Sequence, residues 1–225
     1  IREGTAILDI GGESTRPGHQ QITEDEEIQR VAPVIEAVKA RFDVPVSIDT
    51  YKAKVAAAAI EAGADLVNDI WGLKYDPEMA GLIARTGVAC CLMHNKNNTE
   101  YQDFYPDMLR ETAECVKLAK EAGIADDKII LDPGVGFGKN YEQNLETILH
   151  MERFHELGYP MLLGTSRKSV IGLTLDLPAD QRVEGTLVTT VMAVMKKYAF
   201  VRVHDIKENQ RTIRMTEAIL RAGEN

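Results

Sequence analysis

Short apolar runs alternate with longer amphipathic segments along the 225-residue chain. Seven of these runs have the length of a strand, and they lie near 5–10, 45–49, 66–70, 88–94, 129–132, 161–165 and 199–204. Each run is followed by apolar residues at helical spacing. Because strands joined by single helices are parallel, the pattern predicts an α/β fold, either an open doubly wound sheet or a (β/α)8 barrel.

Two of the helices are predicted in detail. The first spans 24–42 and starts with a capping box, in which Thr23 precedes Glu26 by three residues. Its apolar face carries Ile28, Val31, Ile35, Val38 and Phe42. The second begins near Pro106, since proline suits a first turn, and ends near Ala122. Its inward residues are predicted to be Leu109, Ala113, Val116 and Ala119.

A glycine stands between polar residues and the following apolar run at five places. These are REGTAIL (2–8), EAGADLV (61–67), RTGVACC (85–91), EAGIADDKII (121–130) and ELGYPML (156–162). Glycine adopts the left-handed helix cap at no steric cost, so each place predicts a helix end followed by a strand. Residues 1–4 fit the tail of a helix, and one strand with most of that helix before Ile1 would complete eight. We therefore expect a single domain over 1–225 with its first βα unit largely missing.

Charge and cysteine content exclude several classes of protein. The net charge of −9 argues against general binding to nucleic acid or to a membrane surface, because such proteins present a basic face. The chain contains neither a long apolar run nor a signal-peptide pattern at its N-terminus. Cys90, Cys91 and Cys115 form no CxxC pair and no even set, which favours reduced core thiols in a cytoplasmic protein.

Polar residues stand at the exit of nearly every predicted strand. They are Asp9, Asp49, Asn68, Asp69, His94, Asp132, Ser166, Arg167, Lys168, Arg202 and His204. One aspartate at a strand end more often caps the next turn, and Asp69 fits that role as well as a functional one. All seven strands together favour a ligand site, because the carboxyl ends of parallel strands meet at one edge.

The residue types at these positions indicate the chemistry of the ligand. Carboxylates beside an amide suit a heterocycle rich in N–H donors. Arg202 and His204 are two apart, so they point to the same side of a strand, where they suit phosphate oxygens, and burying them without an anion would be costly. PGVGFGK (133–139) lacks dinucleotide-binding and P-loop spacing, so its glycines instead allow close approach to a ring. GTSRKS (164–169) lacks the second glycine of a nucleophile elbow.

Seven motifs in order resemble those of the dihydropteroate synthase family of pterin-binding enzymes. They are DIGGESTRPG, SIDTYK, NDI, LMH, DPGVGFGK, GTSRKS and VRVHD. The resemblance implies a TIM (β/α)8 barrel and the transfer of a pterin methylene from 6-hydroxymethyl-7,8-dihydropterin diphosphate to p-aminobenzoate, in folate biosynthesis. It also implies a homodimer formed through the last helices, and the segment 185–198 is apolar enough for such an interface. Mg²⁺ is an implied cofactor, but the family's asparagine ligand for it is not in this chain.

The same resemblance assigns roles to individual residues. The pterin pocket is expected to contain Asp49, Asn68, Asp132 and Lys168, lined by Gly136 and Phe137, with Met93 nearby. Arg202 and His204 are expected to clamp diphosphate. Thr15, Arg16 and Pro17 match a mobile loop that closes over p-aminobenzoate, Ser166 lies near that substrate's carboxylate, and Asp9 orients the site. Of these, the expected catalytic residues are Lys168, Asp132, Arg202, His204, Thr15 and Arg16.

Two other functions fit parts of the pattern. A methyltetrahydrofolate corrinoid methyltransferase shares the pterin-binding barrel, but its reaction needs no diphosphate clamp, so GTSRKS and VRVHD argue against it. A truncated pterin-binding module without catalysis is the other alternative.

Overall fold

The computed structural model describes residues 1–14 and 20–223, in which strands and helices alternate. All seven predicted strands are confirmed. They are β1 (Leu8–Ile10), β2 (Val46–Asp49), β3 (Leu66–Asp69), β4 (Ala89–Met93), β5 (Ile129–Asp132), β6 (Leu162–Leu163) and β7 (Phe200–Val201). β1, β6 and β7 are shorter than predicted, and the residues after Leu163 and Val201 lie in the loops that follow.

The described residues contain eight α-helices. They are α1 (Glu24–Lys39), α2 (Ala53–Glu61), α3 (Met79–Thr86), α4 (Phe104–Glu121), α5 (Tyr141–Leu149), α6 (Ser169–Leu175), α7 (Val183–Met195) and α8 (Ile206–Ala222). Of these, α6 and α7 both lie between β6 and β7, and α8 follows β7. Short 3₁₀ helices occupy Asp126–Lys128, Met151–Leu157 and Ala179–Gln181.

Helix α1 begins at the predicted residue, and the Thr23 half of the predicted capping box forms, with the Glu26 N–H donating to Thr23 Oγ1 at 3.2 Å. The Glu26 carboxylate instead accepts from Arg30 Nη2 at 2.5 Å. Val31 and Ile35 are buried, but Phe42 is 48% exposed, so its predicted place on the apolar face is wrong. The helix ends at Lys39, and Phe42 therefore no longer follows the helical spacing. In α4 the predicted inward position of Ala113 is also wrong, since that residue is exposed while Ala119 is buried.

The chain divides into two compact units. The five-strand unit comprises 6–95 and 110–131, and its sheet has the order β1-β2-β3-β4-β5. The pairs from β1 to β4 are parallel, with Asp9 opposite Ser47 and Asp49 opposite Asn68. The parallel register brings the C-terminal ends of these strands to one edge of the sheet.

The two-strand unit comprises 1–5, 96–109 and the chain from Asp132 onward. Here β6 and β7 pair in parallel, with Leu162 opposite Phe200, and α7 packs against α8. Phe154, Met161 and Leu163 are almost fully buried and form part of its core.

The glycines predicted to end helices adopt the conformation expected of them. Gly4, Gly63, Gly87, Gly123 and Gly158 have φ between 69° and 108°. Residues 1–4 form a turn, closed by the Gly4 N–H on the Ile1 carbonyl at 2.9 Å.

The three cysteines are buried and are not joined by disulfides, as predicted for core thiols. Burial raises the pKa of the Cys90 thiol to about 12 and that of Cys115 to about 11. Over 1–14 and 20–223, none of the helices combines the length and the apolar character needed to cross a bilayer.

Candidate functional site

In the five-strand unit, Asp49 and Asn68 lie side by side on neighbouring parallel strands. Asn68 Nδ2 donates to Asp49 Oδ1 at 3.3 Å, and the two residues are 7% and 4% exposed, respectively. Both were predicted to bind the ring. An amide that can donate and accept, next to a carboxylate that accepts, matches the edge of a heterocycle with adjacent donors and acceptors.

Two further residues predicted for the site lie in the same sheet. Asp9 is the middle residue of β1 rather than its last, and it is half-buried. Met93 ends β4 and is 3% exposed. Met93 therefore provides an apolar surface at the edge where the strands end.

In the two-strand unit, Asp132 is buried directly before the glycine-rich loop. Its Oδ1 accepts the Gly134 N–H at 2.7 Å, and the residue is 5% exposed. Burial raises the pKa of Asp132 above its ordinary value, although the charges of Lys168, Lys139 and Arg202 and the Gly134 N–H act in the opposite direction. The carboxylate is thus an acceptor set among cations and out of bulk water.

Lys168 lies close to this carboxylate and to the glycine-rich loop. Its Nζ donates to the Val135 carbonyl and lies 4.8 Å from the centre of the Phe137 ring. Gly136 has φ 88°, and a Cβ there would stand 3.2 Å from Lys168 Cδ. A glycine is needed at 136 both for its backbone conformation and for the lysine stem. The structure therefore brings together four predicted site residues, Asp132, Gly136, Phe137 and Lys168.

Ser166 and His204 form a second contact among the predicted residues. Ser166 Oγ lies 2.8 Å from His204 Nδ1 and accepts the His204 backbone N–H at 3.2 Å. These two bonds fix the imidazole beside the hydroxyl and leave Nε2 as the ring nitrogen that Ser166 does not contact.

The prediction that Arg202 and His204 are buried in a strand is wrong. The strand β7 ends at Val201, and both side chains are exposed, with the half-buried Val203 between them. Exposure removes the cost of burying the two groups without an anion. It leaves them accessible to an anion that arrives from solvent. Thr15, Arg16 and Pro17 lie outside the described residues.

Sequence reasoning missed a buried ionic cluster in the five-strand unit. Lys52 Nζ donates to Glu13 Oε2 at 2.6 Å and to Glu27 Oε2 at 2.8 Å, and Tyr51 Oη donates to Glu13 Oε1 at 2.5 Å. Ile22 joins the cluster through its N–H, which donates to Glu13 Oε2 at 2.9 Å, and its carbonyl, which accepts from Lys52 at 2.9 Å.

One sequence signal could have revealed this ionic cluster. Glu27 precedes the buried Val31 and Ile35 at intervals of four, so a carboxylate lies on the apolar face of α1. Burial would raise the pKa of Glu13, but the bonds from Lys52, Tyr51 and Ile22 outweigh it and lower the pKa to about 2.

Arg167 was predicted among the cations of the site, but its guanidinium pairs with Asp205. Nε and Nη2 lie 3.1 and 2.5 Å from the two carboxylate oxygens, and this pairing lowers the pKa of Asp205. Asn144 was also missed. Its Oδ1 accepts the Gly136 N–H at 2.6 Å and so supports the loop beneath Lys168, yet nothing in the sequence around it separates it from an ordinary residue of α5.

Comparisons with known proteins identify the family of this chain. A family described as pterin binding enzyme matches residues 1–204. The chain is 60% identical to a dihydropteroate synthase of Clostridium beijerinckii over 98% of this chain and 82% of that protein. It is 51% identical to a dihydropteroate synthase of Bacillus subtilis over 99% and 78% of the two chains.

A solved structure agrees with this likeness. Dihydropteroate synthase from Clostridium difficile, crystallised in the presence of pteroic acid, superposes with a TM-score of 0.95 at 47% identity, covering 97% of this chain and 83% of that one. The likeness confirms the predicted fold class, an α/β fold of the (β/α)8 barrel type.

Proposed function

The chain belongs to the family of pterin binding enzymes, and we propose that it acts as a dihydropteroate synthase. It transfers the pterin methylene of 6-hydroxymethyl-7,8-dihydropterin diphosphate to p-aminobenzoate, releasing diphosphate and forming 7,8-dihydropteroate. The observation that carries this proposal is the buried Asp132 carboxylate with Lys168 and the Phe137 ring around one glycine-rich loop. This group offers an acceptor, a cation and a flat apolar surface, which a pterin ring requires.

The pterin is bound by hydrogen bonds and by stacking. Asp132 accepts N–H groups from the ring edge, and Lys168 donates to ring acceptors while its stem covers Gly136. Phe137 supplies an apolar face. Asp49 and Asn68 are proposed as further pterin contacts on the resemblance, and so are the supporting roles of Asp9 and Met93.

The reaction replaces one bond to the methylene carbon with another. The carbon–oxygen bond to diphosphate breaks, and its electron pair leaves with the diphosphate. The amine nitrogen of p-aminobenzoate then bonds to the methylene and loses a proton to solvent. Such a reaction needs stabilisation of the departing anion more than it needs a nucleophile of the protein. Arg202 and His204, both exposed just after β7, are proposed to supply that stabilisation.

Ser166 is proposed to hold the carboxylate of p-aminobenzoate, together with Thr15, Arg16 and Pro17. For Ser166 the support is its hydroxyl beside His204, which links the amine substrate to the anion clamp. For the other three the support is the resemblance.

Mg²⁺ is part of the proposal only through the family resemblance. Among the residues that the structure describes, no group of three His, Cys, Asp or Glu side chains could hold a metal ion. These residues do not form a site for the ion, and no step above depends on one. Diphosphate release measured with added Mg²⁺ and with a chelator tests the requirement.

A homodimer, a cytoplasmic location and a single domain over 1–225 complete the proposal. Support for the dimer comes from exposed apolar side chains on α7 and α8, which are Val188, Met195, Met215 and Ile219. Sedimentation equilibrium tests it. Support for the cytoplasmic location comes from the three cysteines, which are not joined by disulfides. The family match over residues 1–204 spans segments of both units, in line with one domain.

Two successive measurements test the activity. Calorimetric titration with the dihydropterin diphosphate measures binding, and an assay of diphosphate release with p-aminobenzoate measures turnover. We expect both. Binding without release would favour the alternative of a pterin-binding module without catalysis, and absence of binding would refute the family function for this chain. The corrinoid methyltransferase has no support among the relatives described above.

A further inference from the structure

Arg182, which stands directly before α7, donates hydrogen bonds to the backbone of the turn that carries Lys168. Its Nη1 lies 2.9 Å from the Arg167 carbonyl oxygen and 3.3 Å from the Lys168 carbonyl oxygen, and its Nε lies 2.9 Å from the Leu177 carbonyl oxygen. We propose that Arg182 is a positioning residue for Lys168, acting through these two carbonyls. The proposal rests on the function proposed above and assigns a role to a residue outside the pterin contacts.

The turn needs such support because its backbone is unusual. Arg167 has φ 58°, in the left-handed region that residues with a Cβ rarely adopt. The Arg167 N–H donates to Thr186 Oγ1 at 3.2 Å, and the Lys168 N–H donates to the Thr165 carbonyl at 3.1 Å. Together with the Arg167–Asp205 ion pair, these bonds fix the turn. Arg182 adds hydrogen bonds to the two carbonyl groups of the turn.

Gly172 provides the space for the Arg182 guanidinium. A Cβ on Gly172 would overlap the guanidinium carbon and nitrogens of Arg182. Gly172 is a buried residue of α6, the helix that begins immediately after Lys168. The absence of a side chain at Gly172 thus allows the Arg182 guanidinium to pass α6 and reach the turn.

Loss of the guanidinium would remove a donor from two adjacent carbonyls. The turn could then relax from the left-handed conformation at Arg167, and the start of the Lys168 side chain would move with it. Because Lys168 Nζ has to reach the Val135 carbonyl and lie over the Phe137 ring, a small shift at its backbone displaces the ammonium. A displacement of about 1 Å at a catalytic group can cost about 100-fold in rate.

Two variants remove the guanidinium from its place in different ways. Arg182→Met keeps most of the side-chain stem, and Gly172→Ala retains the arginine but fills its space. We expect each to weaken binding of 6-hydroxymethyl-7,8-dihydropterin diphosphate by about 10- to 100-fold in calorimetry, at full stoichiometry of the folded protein. Arg153→Met is the matched control, since Arg153 is exposed and lies over the Tyr105 ring at 4.4 Å, away from the turn. It should bind the ligand as the wild type does.

A double-variant cycle separates positioning from a general structural effect. If Arg182 acts through Lys168, then Arg182→Met should add almost nothing to the loss of affinity in Lys168→Ala. The proposal would be overturned if the double variant lost affinity by the product of the two single losses. Wild-type affinity in both Arg182→Met and Gly172→Ala would also overturn it.

Hydrogen exchange of the Lys168 amide tests the proposal without any ligand. Arg182→Met should speed exchange of this amide relative to amides of α5, because the turn is loosened locally. Unchanged exchange would overturn the proposal. If the wild type binds no dihydropterin diphosphate but Arg182→Met still loosens the turn, the proposed function fails while the positioning role stands.

Discussion

Glu13 and Lys52 form a buried ion pair, with 2.6 Å between Oε2 and Nζ, although they are 39 residues apart in the chain. The Lys52 ammonium also contacts Glu27 and the Ile22 carbonyl. A single cation therefore neutralises two carboxylates that are 7% and 1% exposed. The pair joins the chain at Glu13, just after β1, to the start of α1 and to the residues that follow β2.

Lys52→Met should destabilise the protein strongly, because it leaves two buried carboxylates without their cation. Breaking a buried pair in this way typically costs about 3–5 kcal/mol in the free energy of unfolding. Urea denaturation monitored by circular dichroism measures the change. Lys54→Met is the matched control, since Lys54 is exposed and pairs with Asp25 at 2.6 Å, and it should change the stability little. Equal effects of the two variants would contradict the role of the cluster.

The lowered pKa of Glu13 predicts that the stability of the protein decreases in acid. Its pKa is lowered from 4.5 to about 2 in the folded state, so the folded protein favours the carboxylate. The resulting stabilisation, on the order of 3 kcal/mol, is present above pH 4.5 and is lost as the pH falls toward 2.

Comparison of the wild type with Glu13→Gln isolates this carboxylate. The difference in the free energy of unfolding between the two should shrink as the pH is lowered from 6 to 3.5, because the wild type alone has the carboxyl group to protonate. Urea titrations at four or five pH values measure it. A constant difference over this range would show that Glu13 is not the group responsible.

Lys168→Ala and Arg202→Ala should each lower turnover by about 100-fold or more while changing the free energy of unfolding far less. Lys168 should affect the affinity for the dihydropterin, whereas Arg202 should act mainly on diphosphate release. Steady-state assays measure turnover and substrate affinity, and thermal denaturation of each variant measures stability. Lys120→Ala, on the exposed side of α4 beside Asp126, is the control and should retain activity. Unchanged turnover in both site variants would refute the assignment.

Asp132 should make pterin binding weaker in acid. Burial raises its pKa, so the carboxylate becomes protonated at a higher pH than an exposed aspartate would, and a protonated group accepts the ring N–H poorly. Affinity for 6-hydroxymethyl-7,8-dihydropterin, which lacks diphosphate, should fall as the pH is lowered, and the fall should begin at a higher pH than the ordinary pKa of an aspartate. Asp132→Asn should bind weakly with little pH dependence. An Asp132→Asn profile identical to that of the wild type would exclude Asp132 as the titrating group.

The parts of the fold that could be predicted from the sequence depend on local interactions. The seven strands follow from short apolar runs, and the left-handed conformation of Gly63 and Gly87 follows from steric freedom at a single residue. Phe42 was assigned wrongly because periodicity does not show where a helix ends.

Residues of the candidate site were predictable where a motif places them directly after a strand, as for Asp49 and Asp132. Partners from distant segments were not. Glu27 falls on the apolar face of α1, but its partner Lys52 is 25 residues away and no motif links the two. Arg182 likewise has no motif of its own, since its partners become apparent only when α6 and α7 are packed together. For Arg202 and His204 the sequence predicted two polar groups after the last apolar run but not their exposure, because exposure depends on where β7 stops pairing.

Cys90, Cys91 and Cys115 all lie within the five-strand unit and are fully shielded from solvent. A thiol that is shielded from solvent does not react, so the native protein should resist iodoacetamide and similar alkylating reagents. Each cysteine becomes reactive only when the chain around it opens. Mass spectrometry of alkylated protein during mild heating would thus measure local opening of this unit without any engineered label.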